Sequence, residues 1–304
     1  MIVPAILRSV RCSMATCTRL LPQKIPGRIG LGARVDHMLR RTGFTLWRES
    51  IRCPNGLRLL LDTDEEQQRQ IFWGGAYESH VVAALTSALP AGGVALDVGA
   101  NIGSIALSVA QTCRRAQKSV TIHAFEPLSR NYERLTSNVD LNGLADSVRC
   151  HKLALGASSG ALLLRYTEQT VGVSAVAVVC DSVEIAPIQG WHTEGVAIKT
   201  LDEWTQEVGI GRLDAIKIDI EGAEPLFFRG GVATIQRFRP VIFGEFNAWW
   251  AERHGLSIDH ECFEPLWALG YQPYCWVPKT HRWELAPSRL SAGPAMENTL
   301  WRPL

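Results

Sequence analysis

The sequence lacks the patterns of membrane-spanning and disulfide-stabilised proteins. No apolar run approaches the ~20 residues that a spanning helix needs. The eight cysteines include no C-x-x-C pair, and His260 with Cys262 has no matching pair nearby, so neither a disulfide framework nor a zinc site is predicted. A net charge of +1 gives no general attraction to nucleic acid. We therefore expect an intracellular, cytoplasmic protein with no membrane span, no nucleic-acid partner and no required metal.

Two nucleotide-binding motifs are also incomplete. The dinucleotide fingerprint G-x-G-x-x-G would need glycines where Asn101 and Ser104 stand after Gly99. The phosphate loop G-x-x-x-x-G-K-[ST] is absent because no lysine follows Gly99 or Gly103. A cofactor with a pyrophosphate is therefore disfavoured. An NAD(P)-dependent oxidoreductase with an atypical glycine loop remains an alternative.

The chain does contain a strand, a glycine turn and a helix in succession at residues 94–110. An apolar run is followed by Asp97 and Gly99, and apolar residues then recur at helical spacing after Gly103. The glycines allow a ligand to approach the main chain at the start of the helix. An acidic Asp97 before the turn suits a cofactor with a cationic amino group and no phosphates, such as S-adenosylmethionine.

A second strand at residues 120–125 ends at Glu126-Pro127, where proline stops the strand. In a doubly wound sheet the carboxyl ends of neighbouring strands face one crevice. Glu126 would then lie beside the Gly99 loop, where one carboxylate accepts hydrogen bonds from two ribose hydroxyls. The alternative is a helix-capping or surface carboxylate.

Three stretches together resemble the FkbM-type S-adenosylmethionine-dependent methyltransferases: residues 97–103, 124–127 and 217–224. The resemblance implies a doubly wound, Rossmann-like class I methyltransferase sheet of α/β class, mostly parallel with an antiparallel closing strand, plus an N-terminal lead-in. The cofactor would be S-adenosyl-L-methionine. The cofactor-binding residues that we predict are Asp97, Gly99, Asn101, Gly103, Glu126, Pro127, Ala154, Leu155 and Asp219.

Ala154 and Leu155 are among the predicted cofactor-binding residues because no acidic residue stands at the end of the third strand. The third strand, predicted at residues 148–155, ends at Gly156 without the carboxylate that many methyltransferases use for the adenine amino group. Backbone groups near Ala154 and Leu155 are the expected substitutes.

The fourth strand, at residues 213–218, reaches Asp219 and Glu221, which are two apart and so face the same side of an extended chain. A fifth strand ends at Glu245. We predict Asp219 as the base or acceptor-orienting group, with Glu221 and Glu245 next and His192 a distant fourth. The alternative is an ionic network around Lys217. A divalent metal on these carboxylates is possible in principle, but no spacing requires it.

The family resemblance implies O-methylation of a hydroxyl on a sugar, a polyketide or a related small metabolite. Trp249 and Trp250 would stack on a sugar face or pack in the core. A non-catalytic S-adenosylmethionine-binding protein is a further alternative, which the carboxylates disfavour. The sequence does not set the oligomeric state.

The predicted organisation is an N-terminal extension at 1–40, a hairpin and helical lead-in at 41–92, and a methyltransferase domain at 93–304. Residues 1–35 contain six basic and no acidic residues, so we expect a disordered, dispensable segment, with organelle targeting as the alternative. Asn55-Gly56 predicts the hairpin turn. Extra strands are predicted at 161–166 and 176–179 around a polar loop at 168–174, and a closing hairpin at 271–277 with 283–285.

Overall fold

The computed structural model describes residues 2–20, 28–41, 48–167, 191–253, 255–256, 261–286 and 298–304. The strands are β1 (Arg48–Arg52), β2 (Arg58–Asp62), β3 (Gly93–Val98), β4 (Val120–Phe125), β5 (Val148–His151), β6 (Ala154–Leu155), β7 (Gly160–Thr167), β8 (Trp191–Lys199), β9 (Ala215–Ile218), β10 (Val241–Glu245), β11 (Tyr271–Val277), β12 (Arg282–Leu285) and β13 (Asn298–Pro303). The helices are α1 (Ile2–Leu20), α2 (Arg28–Arg41), α3 (Glu66–Gly74), α4 (Ser79–Ala88), α5 (Ser104–Arg115), α6 (Ser129–Leu141), α7 (Leu201–Val208), α8 (Glu224–Arg229), α9 (Val232–Phe238), α10 (Ala248–Arg253) and α11 (Glu264–Ala268), with a 3₁₀ turn at Glu261–Phe263.

The central sheet has eight strands in the order β12-β11-β13-β10-β9-β3-β4-β5. The five strands from β10 to β5 are mutually parallel, and β13 lies antiparallel between β10 and β11. Strand β3 alternates between two cores, because Ala95 packs on one face and Leu96 with Val98 on the other. Burial on both faces is typical of a central parallel strand. The predicted doubly wound, mostly parallel sheet is therefore confirmed.

The antiparallel closing strand comes from a part of the chain that we did not predict as a strand. The predicted hairpin forms as β11 and β12 at the outer edge of the sheet, but β13 near the C-terminus is inserted inside it. Its apolar core of Leu300 and Trp301 is too short to show a strand pattern in the sequence. Pairing with β10 and β11 decides its conformation.

The third strand is shorter than predicted. Strand β5 ends at His151, and β6 pairs with β8 in a separate three-stranded sheet of order β6-β8-β7. The continuous strand at 148–155 was therefore wrong, because the chain changes sheets at Lys152 and Leu153. The predicted strand at 161–166 lies within β7. The predictions at 168–174 and 176–179 lie outside the described residues.

The hairpin before the main sheet forms as predicted, with Arg52 opposite Arg58 in the β1–β2 ladder. The segment at 1–40 differs from the expected disorder, because α1 and α2 occupy most of it. Their buried side includes an ion pair in which Arg11 Nε donates to Asp36 Oδ1 at 2.6 Å. A pattern search for apolar residues misses a face of this kind. The division at residues 40 and 92 stays a prediction.

Candidate functional site

A cavity of about 330 Å³ lies at the carboxyl ends of the parallel strands. Gly99 follows β3, Glu126 follows β4, Asp219 follows β9 and Glu245 ends β10, and all four line the cavity. Because the strand order is β4-β3-β9-β10 and neighbours lie about 4.8 Å apart, these residues form a row. The crevice at strand ends is where doubly wound sheets bind ligands.

The predicted residues that line this cavity are Gly99, Asn101, Glu126, Pro127, Ala154, Leu155, Asp219, Glu221 and Glu245. Asp97 and Gly103 are not among the lining residues. The structure therefore brings together most of the side chains that the sequence singled out. Their functional roles stay predictions.

The two loop glycines serve packing in the protein itself. Gly99 has φ +76°, and a Cβ there would lie 1.9 Å from the carbonyl oxygen of Asp219. A Cβ on Gly103 would lie 2.4 Å from Leu107 and 2.5 Å from Leu135. The glycines allow the β3 loop to contact the β9 loop and α5 to approach α6. Ligand approach, the reason that we inferred from the sequence, is not needed to explain them.

Asp97 is buried beneath the cavity. Its Oδ2 accepts a hydrogen bond of 3.0 Å from the Ala106 N–H in the first turn of α5. Its Oδ1 lies 3.3 Å from Lys217 Nζ. Both carboxylate oxygens thus face protein groups, and Asp97 is not among the lining residues of the cavity, so its contact with the cofactor stays a prediction. Asp97 instead connects the β3 loop, α5 and β9.

Glu126 is buried at the middle of the cavity. Its Oε2 accepts from the Asn101 N–H at 2.9 Å and its Oε1 from the Leu128 N–H at 3.0 Å. Burial raises the pKa of Glu126 to about 7, although these backbone N–H donors and Asn131 act in the opposite direction. A carboxylate has about four acceptor positions, and the Asn131 side chain is a third donor beside the two backbone N–H groups, so one position remains on Glu126.

Asn101 connects the glycine loop to the lead-in. Its backbone is left-handed, with φ 50°, and its Nδ2 donates to Gln67 Oε1 at 2.8 Å. Its Oδ1 is buried without a hydrogen-bond partner within the described residues. Buried acceptors are normally satisfied, so Asn101 Oδ1 is a position where a ligand donor would fit.

The acidic end of the cavity is arranged around one buried lysine. Lys217 Nζ donates to the Gly99 carbonyl oxygen at 2.9 Å and lies 3.4 Å from Asp219 Oδ2. Burial alone would lower the pKa of Lys217. The negative charges of Asp97, Asp219 and Glu78 raise this pKa by more than burial lowers it, so it lies above the ordinary value. The lysine is therefore a fixed cation. The ionic network considered as an alternative does exist, and it lies at the cavity.

Three more carboxyl groups around this lysine retain protons more readily than usual. Burial, followed by the charges of Asp219 and Glu224, raises the pKa of Glu221 to about 8. Burial and Asp219 raise the pKa of Glu78 to about 7. Burial, with Asp219 as the next cause, also raises the pKa of Glu245. Glu78 and Glu221 both have left-handed backbones, with φ of 42° and 54°, a conformation that concentrates at functional sites.

The opposite end of the cavity is apolar. Ala154 and Leu155 of β6 meet Leu162, Leu164 and Ile198 from the neighbouring strands. The sequence missed the last three, because only the small sheet brings β7 and β8 to this wall. His192 is exposed and stacks on Tyr166 with ring centroids 5.3 Å apart, outside the cavity.

The lead-in supplies three further lining residues, Gln67, Gln70 and Tyr77. The family resemblance implied that the lead-in around Tyr77 lies across the cofactor crevice, whereas Gln67 and Gln70 were not singled out. Burial raises the pKa of Tyr77 above its ordinary value. Trp249 is 53% exposed and is absent from the lining residues, and the side chain of Trp250 is outside the described part. Glu224, also unassigned, accepts from the Ile220 N–H at 3.0 Å and holds the Asp219–Glu221 loop. The signal in the sequence that could have identified Glu224 is its position in the third family-like stretch, residues 217–224.

Neither a metal centre nor a membrane span is seen in what the structure describes. Across the described ranges, no three His, Cys, Asp or Glu side chains are grouped to hold a metal ion. None of the helices described above is long and apolar enough to cross a bilayer. The seven cysteines in these ranges are free.

Comparison with known proteins gives one family. The profile of the methyltransferase FkbM domain matches residues 97–273. "Methyltransferase 1" of Beauveria bassiana is 30% identical over 146 residues, which cover 44% of this chain and 57% of that protein. "Methyltransferase sdnD" of Sordaria araneosa is 29% identical over 163 residues, covering 47% and 61%. The matched stretch is therefore under two thirds of either relative's length.

Solved structures with related folds include a methyltransferase FkbM from Methylobacillus flagellatus. It is 16% identical with a TM-score of 0.40, covering 69% of this chain and 43% of that one. A SAM-dependent O-methyltransferase from Thermotoga maritima is 13% identical with a TM-score of 0.35, covering 75% and 66%.

Proposed function

The chain belongs to the FkbM methyltransferase family, and we propose that it transfers the methyl group of S-adenosylmethionine to a hydroxyl oxygen of a small metabolite. The observation that carries this proposal is one cavity with two unlike ends. Glu126 has a spare acceptor position at the tip of β4, and Asp219 and Glu245 lie at the tips of β9 and β10. A cofactor and an acceptor side by side require such an arrangement.

The residues present fit S-adenosylmethionine. The spare position on Glu126 suits a ribose hydroxyl, and the unpartnered Asn101 Oδ1 suits the amino group of the methionine part. The apolar wall of Leu155, Leu162 and Ile198 suits a purine. A volume of about 330 Å³ lies at the lower end of the roughly 300–1,000 Å³ of small-molecule sites.

When bound, S-adenosylmethionine supplies an electrophilic methyl group, so the protein has to orient an acceptor oxygen and accept its proton. We assign proton acceptance to the Asp219 carboxylate, which lines the cavity and is paired with Lys217. Glu221 has a pKa of about 8 and the pKa of Glu245 is raised as well. Both are therefore largely protonated at neutral pH, and they serve better as hydrogen-bond donors to the acceptor than as bases.

The geometry disfavours the oxidoreductase alternative. Dinucleotide cofactors place a pyrophosphate on free N–H groups at a glycine loop and helix N-terminus. Here the Ala106 N–H donates to Asp97 and the Asn101 N–H donates to Glu126. A pyrophosphate would meet these carboxylates in place of free donors.

Calorimetry on the full chain tests the cofactor. We expect heat of binding with S-adenosylmethionine and S-adenosylhomocysteine, and none with NADH at the same concentration. Tighter binding of NADH would overturn the assignment. A labelled methyl group and a panel of sugar and polyketide alcohols then identify the acceptor, and transfer to nitrogen or carbon acceptors alone would contradict O-methylation.

Substitution of Asp219 tests the catalytic assignment. Asp219→Asn keeps the shape and removes the charge, so turnover should fall by roughly 10²–10⁴ with S-adenosylmethionine affinity little changed. Asp97→Asn is the matched control, because Asp97 pairs with the same lysine but does not line the cavity. It should lower the melting temperature and leave turnover per folded molecule much less affected. Equal turnover losses in both variants would return Asp219 to a structural role.

A further inference from the structure

The two N-terminal helices bury a mixed polar and apolar face and leave several other apolar side chains exposed. On α1 the buried side carries Arg11, Ala15 and Thr18, and Arg11 forms its ion pair with Asp36 there. Ile6 and Val10 point outward, 55% and 51% exposed. Leu7, Met14 and Ala15 also pack inward, and Ile6 with Val10, one turn apart, forms a separate apolar stripe that the core does not cover. The apolar stripe of α1 is therefore left for another surface.

Helix α2 continues this surface. Leu31 and Met38 are 53% and 61% exposed, and Arg34 and Arg41 are exposed at positions between and beyond them. These four residues follow one another along α2 at spacings of three, four and three residues, so their side chains lie on one side of the helix. Val10 and Leu31 line one groove between α1 and α2, with Trp73 beneath. The two stripes thus form one continuous surface, which we call the N-terminal face: Ile6, Val10, Leu31, Arg34, Met38 and Arg41.

The charge of this face is positive. The sequence has no acidic residue before Asp36, and Asp36 is buried against Arg11 and the indole of Trp73. Exposed apolar side chains flanked by arginines are typical of helices that lie in the interface of an anionic bilayer. A symmetric dimer through this face would bring the same arginines of two chains together, which opposes self-association.

We infer that the N-terminal face docks the protein peripherally on anionic lipid, with the apolar residues inserted among the acyl chains and the arginines at the headgroups. This inference goes beyond the proposed methyl transfer and does not depend on it. The net charge of +1 does not reveal this positive surface, because its basic residues are concentrated on the N-terminal face.

Sedimentation of the full chain with vesicles tests this docking. We expect binding to equimolar phosphatidylcholine and phosphatidylglycerol, much less binding to phosphatidylcholine alone, and loss of binding at high salt. Arg34→Glu with Arg41→Glu should weaken partition by roughly tenfold or more. Arg52→Glu with Arg282→Glu, exposed elsewhere, makes the same change in net charge and should bind as the native chain does.

The apolar part has its own variant. Val10→Ser, Leu31→Ser and Met38→Ser together should abolish binding, whereas Val208→Ser with Val232→Ser, exposed elsewhere, should not. Circular dichroism establishes that each variant is folded. No binding by the native chain, or equal binding to neutral and anionic vesicles, would overturn the inference. The inference would also be overturned if light scattering showed a dimer that the triple serine variant dissociates, and if the native chain did not bind vesicles.

Discussion

Individual residues in the loop after β3 are determined by contacts within the protein. Gly99 is the sharpest case, because its missing Cβ is what permits the Asp219 carbonyl oxygen to lie so close. The sequence suggested that glycine at this position serves the approach of a ligand to the main chain. The geometry indicates that a larger residue here would instead lower stability.

We therefore expect Gly99→Ala to lower the free energy of unfolding by more than about 2 kcal/mol, since a left-handed alanine and a backbone clash both contribute. Gly143→Ala is the matched control, because Gly143 has φ +57° and no atom within 4 Å of a built Cβ. It should cost only about 1 kcal/mol. Urea unfolding measures both, and equal losses would mean that the close approach does not matter.

Glu126 contributes both to the loop and to the proposed ribose site. Glu126→Ala leaves the Asn101 and Leu128 N–H groups without their acceptor, so stability should fall by about 1–3 kcal/mol. Affinity for S-adenosylmethionine should fall by roughly tenfold or more, because a charge-assisted hydrogen bond to the ribose is lost.

Glu224→Ala separates these two effects. Glu224 is also a buried carboxylate that accepts two backbone N–H groups, from Ile220 and Gly222, but it does not line the cavity. It should lose similar stability and less affinity. Calorimetry measures the cofactor affinity of both variants, and urea unfolding measures their stability. Unchanged affinity in Glu126→Ala would rule out the ribose assignment.

Among the elements, α1 and α2 differ most from what the sequence led us to expect. Arg11 lies 4.1 Å above the Phe72 ring, Thr18 Oγ1 donates to the Trp73 carbonyl oxygen at 3.0 Å, and Arg19 donates to the Phe72 carbonyl oxygen at 2.6 Å. These contacts hold α3, which also carries Gln67 into the cavity. Deletion of residues 1–35 should therefore lower both the melting temperature and cofactor affinity.

A single substitution tests this element more gently. Arg11→Leu leaves Asp36 as a buried carboxylate without its cation, so the free energy of unfolding should fall by about 3–5 kcal/mol. Glu207→Leu breaks the pair with Lys199, which is exposed on both sides, and should cost at most about 1 kcal/mol. Thermal and urea unfolding compare the two. A deletion variant that keeps native stability would restore the view of 1–35 as dispensable.

The whole molecule should show an unusual dependence of stability on pH. The pKa values of Glu78 and Glu126 are raised from 4.5 to about 7, and that of Glu221 to about 8. Between these limits the folded state binds more protons than the unfolded state, so stability is greatest at low pH and is lost as pH rises through the folded pKa values. His123 opposes this below pH 6.5, because burial and His151 lower its pKa from 6.5 to about 4.

At pH 6.5 the histidine is at most half protonated in the unfolded state and its charge falls further as pH rises, so above this pH the carboxyl groups dominate the change in stability. The melting temperature without cofactor should therefore be a few degrees higher at about pH 6.5 than at about pH 8. Glu221→Gln should flatten this dependence, and Glu133→Gln on the exposed side of α6 should not. A melting temperature that rises over the same interval would contradict the raised pKa values.

The sequence by itself determined the sheet class and most of the residues that meet at its edge. Local pattern suffices there, because a buried parallel strand must be apolar and the residue after it must lie at the edge where ligands bind. This is why Gly99, Glu126, Asp219 and Glu245 could be placed together before any coordinates.

Tertiary structure alone decided what depends on contacts between distant segments. The burial of Asp97 against Lys217, the insertion of β13, the apolar wall from β7 and β8, and the packing of α1 and α2 all belong to this class. Periodicity reports which face of an element is apolar, but not which partner covers it. The buried face of α1 mixes Arg11 and Thr18 with apolar residues and so gives only a weak apolar signal, because the ion pair that stabilises the burial of Arg11 forms only when two helices meet.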